Sequence, residues 1–121
     1  MLIYIVRAIN ELRRCLAVYD EFECTAYINK TYGTWMVRLS NDEANAILSE
    51  ASRSCTQVEG SFLYCIFCVG SQCSMEPSES VIKYIIDCLD RLSIKQGVKD
   101  TLKNMLNKAV EVNSEVACSG E

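Results

Sequence analysis

The chain has 121 residues, half of them apolar, with one proline and five glycines. That balance excludes a disordered or low-complexity chain, and the length suits one domain that buries about two-thirds of its unfolded surface without covalent staples. A formal net charge of −4 and the absence of histidine count against a nucleic-acid partner and remove the commonest general base, proton shuttle and metal ligand.

Leu2, Ile5, Ile9, Leu12, Leu16 and Tyr19 recur at spacings of three and four and predict an amphipathic helix. The opening Leu-Ile-Tyr-Ile-Val also suits a strand. Arg7, Arg13 and Arg14, with Glu11 among them, form the most basic cluster and read as a solvated helix face. Phe22, Cys24, Ala26 and Ile28 then alternate with Glu23, Thr25, Tyr27 and Asn29, the pattern of a half-buried strand. Lys30-Thr31-Tyr32-Gly33 supplies a turn, and residues 34–39 repeat the alternation with Trp35, Val37 and Leu39 on one side. A β-hairpin is expected there, and its edge offers a place for a second copy to continue the sheet.

Ser40 and Glu43 have the spacing of a capping box, so a helix should follow through Ala44, Ile47, Leu48 and Ala51 and end near Cys55. Residues 62–69 are apolar at every position, which predicts a strand covered on both faces or a short buried helix. Pro77 and Ser78 open a further helix that turns Val81, Ile82, Ile85, Cys88, Leu89 and Leu92 inward. Ser93 and Gln96 form a second capping pair before a last helix carrying Val98, Leu102, Met105, Ala109 and Val112. The sum is an α+β fold in one domain over residues 1–121, in the order helix–β-hairpin–helix–strand–helix–helix. The helices pack on a small sheet, and a polar C-terminal tail begins at about residue 113. A compact all-α bundle is the alternative.

Eight cysteines are the most unusual feature of the composition. Cys65 and Cys68 have the spacing of a redox pair, yet in a strand they would point to opposite faces about 10 Å apart, beyond the reach of a disulfide. Cys65, Cys68 and Cys73 could supply three metal ligands, with Cys55 or Cys88 as a fourth, but the spacing is irregular and no second pair repeats it. The bland alternative is that the thiols stay free and fill the core as small hydrophobes. Cys24 and Cys88 fit that account, and Cys118 in the polar tail is the expected exposed thiol.

No triad or Gly-rich phosphate loop is present, and the carboxylate pairs Asp42/Glu43 and Asp87/Asp90 read as solvated faces. No apolar run reaches the length of a membrane span, and residues 1–6 lack the basic flank of a signal segment. The expectation is a cytoplasmic, non-catalytic protein-interaction module, homodimeric, acting as an accessory, inhibitor or modulator protein. It needs no cofactor and binds neither nucleic acid nor membrane. A cysteine-based metal or thiol-redox module on Cys65, Cys68 and Cys73 is the alternative. The sequon Asn29-Lys30-Thr31 is the one hint of a secreted chain. Tyr27, Tyr32 and Trp35 are the candidate anchors for a partner, and because Trp35 alternates with Val37 and Leu39 on the inward side, Tyr27 and Tyr32 are the better surface candidates.

Overall fold

A computed structural model describes residues 2–55, 73–75 and 79–119, and among these residues the chain forms four short strands and five α-helices. Strand β1 (Leu2–Ile5) is buried along its whole length. A 3-10 turn (Val6–Ala8) leads from it into α1 (Ile9–Leu16). The helix expected from residue 2 therefore starts seven residues later. A four-residue run with apolar side chains at every position is the signature of a strand covered on both faces, whereas of the predicted stripe only Ile9, Leu12 and Leu16 fall within the helix.

The expected first hairpin strand is a helix, α2 (Glu21–Tyr32). Asp20 caps it by accepting a hydrogen bond from the Glu23 N–H at 2.8 Å, and Glu21 and Glu23 place negative charge in its first turn. Its two buried side chains, Cys24 and Ile28, lie four apart, a spacing that fits a helix face as well as a strand face. Gly33 ends it at φ +90°, a conformation in which a side chain would be strained. Strand β2 (Met36–Arg38) follows, so residues 34–39 are strand in part as expected, but no hairpin precedes them.

Helix α3 (Asn41–Ser54) begins with the predicted capping box: the Glu43 N–H donates to Ser40 Oγ at 3.1 Å and the Ser40 N–H donates to Glu43 Oε1 at 2.9 Å. The strand or helix expected over residues 62–69 lies outside the described residues. Strand β3 (Cys73–Met75) leads to α4 (Glu79–Asp90), which buries Ile82, Ile85, Cys88 and Leu89 as predicted. Val81 is exposed instead. Helix α5 (Gln96–Val112) is preceded by Lys95, which makes no side-chain cap, so the second capping pair is not formed.

Asn113 takes the left-handed conformation, and the N–H groups of Asn113 and Ser114 return to the carbonyls of Val110 and Ala109. That closure ends α5 and turns the chain into β4 (Val116–Ser119). The polar tail expected from about residue 113 is thus corrected: its middle is a strand in the centre of the sheet.

The sheet runs β2-β1-β4-β3 with every neighbour antiparallel. Ile3 lies opposite Val37 on one side and Cys118 on the other. Alternation along β1 sends Ile3 and Ile5, with Val37, Val116 and Cys118, to one face, where α3, α4 and α5 cover them with Ile47, Ile85, Leu102 and Met105. Leu2, Tyr4 and Met36 face the other way, beneath Leu12 of α1 and Cys24 and Ile28 of α2. The protein is an α+β fold with helices on both faces of an antiparallel sheet.

Candidate interaction surface

Helices α1 and α2, joined by residues 17–20, form a helical hairpin that packs on one sheet face. A disulfide between Cys15 and Cys24 ties the last turn of α1 to the first turns of α2, with the Cα atoms 5.7 Å apart. Burying Leu12, Cys24 and Ile28 uses up the inner side of this layer. The outer side is apolar too. Of the eight exposed large hydrophobic side chains among the described residues, Leu16, Val18, Tyr19, Phe22, Tyr27 and Tyr32 belong to this layer, leaving only Val81 and Tyr84 elsewhere. Val18 is 74 % and Phe22 65 % exposed, far beyond what an incidental surface contact leaves open.

A groove of about 490 Å³ runs between the two helices, lined by Glu11, Arg14, Cys15, Tyr19, Glu23 and Tyr27. Glu11 and Arg14 pair across one turn of α1 at 3.3 Å. On the opposite flank of α2, the Arg38 guanidinium lies 5.7 Å from the centre of the Phe22 ring, a cation–π distance that holds the exposed ring against the sheet edge. Phe22, Tyr19 and Leu16 were expected to face inward. The α1 stripe stops at Leu12, and α2 turns Cys24 and Ile28 inward rather than Phe22. The signal for this in the sequence was Asp20, a helix cap placed directly after Val18 and Tyr19.

The three anchors expected from sequence separate into two places. Tyr27 lies on the groove beside Tyr19. Tyr32 and Trp35 pair at the far end of α2, their ring centres 5.2 Å apart. Trp35 is partly buried against both halves of the core, so its inward orientation holds in part. Its Nε1–H is buried without an acceptor among the described residues.

Asn29 organises this end. Its Oδ1 accepts from the N–H groups of Trp35 and Met36, both at 3.0 Å, and its Nδ2 donates to the Met36 carbonyl at 2.9 Å. Both polar groups of Met36 that point away from β1 are therefore satisfied, and a second copy cannot add a strand at this position. The same bonds occupy the amide of the apparent sequon, which is no exposed loop acceptor.

Five of the cysteines, Cys15, Cys24, Cys55, Cys88 and Cys118, are disulfide-bonded rather than free core fillers. Cys24 and Cys88 are buried as expected, but each is disulfide-bonded, Cys24 to Cys15 and Cys88 to Cys55. Cys55 and Cys88, considered as a fourth metal ligand, are thus joined to each other. Cys118, expected as an exposed thiol, is 1 % exposed and also disulfide-bonded, and the residue opposite it in the β3–β4 register is Cys73. Cys65 and Cys68 lie outside the described residues. Among the described residues no three His, Cys, Asp or Glu side chains converge as a metal site would require.

One carboxylate of each pair is engaged in structure. Glu43 belongs to the capping box, and the Ser40 N–H donating to it holds its carboxyl below the ordinary range. Asp90 accepts from Lys103 of α5 at 2.8 Å, which raises the lysine above its usual value. No helix among the described residues is long and apolar enough to cross a membrane.

These features define a small α+β protein with two helical layers, one of which is apolar on both sides. No protein-family model, no curated protein and no solved structure matches the chain.

Proposed function

We propose that this protein is a non-catalytic protein-interaction module whose contact surface is the outer side of the α1–α2 layer. One observation carries the proposal: among the described residues, six of the eight exposed large apolar side chains fall within residues 16–32. Patches of this kind, rimmed by charge and rich in tyrosine, are the usual anchors of protein partners. The groove supports it, since its lining mixes two tyrosines with carboxylates and a guanidinium and offers no nucleophile paired with a base. Without histidine, an acid–base function would fall to carboxylates, and Glu43 and Asp90 are engaged in a cap and an ion pair. Disulfides persist more readily outside a reducing compartment, which supports an oxidising setting as an alternative to the cytoplasmic one.

A photo-crosslinking side chain at Tyr27 tests the reading in cells that make the protein, with the same group at exposed Val81 of α4 as control. A discrete protein adduct from position 27 and none from position 81 is the expected result. Equal labelling at both positions, or none at either, would sink the proposal.

A further inference from the structure

We infer that the partner on this face is a second copy of the chain, related by a two-fold axis that runs along the seam between α1 and α2. The inference rests on the proposed interaction surface and names its occupant. The reason is charge. Exposed Arg13 and Arg14 lie in the last turn of α1, whereas Asp20, Glu21 and Glu23 lie at the start of α2. Because the helices form a hairpin tied by Cys15–Cys24, these opposite charges stand side by side at the same end of the layer. A two-fold axis along the seam lays α1 of one copy over α2 of the other. Each arginine pair then meets the acidic turn of its partner, and the contact is made twice. Leu16, Tyr19, Phe22 and Tyr27 supply the apolar ground between these contacts.

A uniformly acidic partner would suit α1 and be repelled by α2, and a basic one the reverse. Only a surface carrying both signs in this arrangement satisfies the two helices together, and the chain itself has that surface. The rival mode of self-association, extension of the sheet through β2, is closed at Met36 by the Asn29 side chain. Among the described residues Arg13 has no ion-pair partner within the chain, so the charge it would bring to the interface is not already spent.

The experiment is a charge exchange on the full chain, read by light scattering over a range of concentrations. The wild-type protein should have twice the mass of one chain. R13E with R14E, and separately E21K with E23K, should each weaken self-association by about tenfold or more. An equimolar mixture of the two variants should restore the doubled mass, because each carries what the other lacks. A wild-type monomer throughout the range would overturn the inference whatever the variants do. So would a dimer indifferent to both exchanges, or a mixture that fails to re-associate. A monomer that still gives a discrete Tyr27 adduct with a different protein leaves the interaction surface standing and removes only the second copy. Loss of both signals removes the surface as well.

Discussion

Asn29 shows how one side chain closes a turn that the backbone alone leaves open. Its amide makes three hydrogen bonds, two of which satisfy the N–H and C=O of fully buried Met36, while the third adds to the bond that the Trp35 N–H already donates to the Gly33 carbonyl. An unpaired buried N–H or C=O costs about 1–3 kcal/mol, so Asn29→Ala should lower unfolding stability by about 2–4 kcal/mol in urea titration. Asn29→Asp keeps the two accepted bonds and loses the donated one, and it should cost less than Asn29→Ala. None of this was legible in the sequence, where Asn-Lys-Thr reads as a glycan acceptor and nothing marks Met36 as its partner. Gly33 and the Ser40–Glu43 pair were legible, because a positive φ and a capping box depend on residues three or fewer apart. Asn29 reaches seven residues ahead, and that distance falls between local pattern and long-range contact.

The α1–α2 hairpin carries the argument at the scale of elements. Its second helix was misread as a strand because positions 22, 24, 26 and 28 alternate, while the two that are buried also lie one helical turn apart. Two buried positions do not fix a period; the cap at Asp20 does. The hairpin is held to the sheet by only a few buried side chains, so its disulfide matters. Replacing Cys15 and Cys24 together by serine should destabilise the protein by about 2–4 kcal/mol. Amide exchange should accelerate in α1 and α2 before it does in α4 and α5. Uniform acceleration across all four helices would show instead that the bond holds the whole fold rather than this layer. Strand β4 was illegible for another reason. Val116, Ala117 and Cys118 are too few apolar residues among Ser and Glu to signal a strand, and their burial comes from β1 and β3 on either side.

At the scale of the whole molecule, each disulfide resolved between described residues ties neighbouring elements within one layer. One bond closes the α1–α2 layer, and a second joins the end of α3 to α4 on the opposite side of the sheet. Cys118 is disulfide-bonded too, and the register sets Cys73 directly opposite, so a Cys73–Cys118 link between β3 and β4 is the expected third. Peptide mapping without reduction should find residues 109–121, released by trypsin after Lys108, joined to the fragment that contains Cys73. Fragmentation of that linked pair should place the bond at Cys73. A bond from Cys118 to Cys65 or Cys68, or an alkylated Cys118, would reject it. The number of cysteines was plain in the sequence, but their pairing was not, since eight thiols allow 105 complete pairings.

Strands β1 and β4 meet at the centre of the sheet, yet their residues stand more than a hundred positions apart, with Leu2 opposite Ser119 and Ile5 opposite Val116. Strand β1 can pair with β2 soon after both are made, but its other side must wait for the more than one hundred residues that separate it from β4. Its four apolar side chains have no complete sheet to enter until then. Completion of the sheet is therefore a late event of high contact order, and a chain cut short after α5 carries all the described helices but lacks the strand that joins β1 to β3.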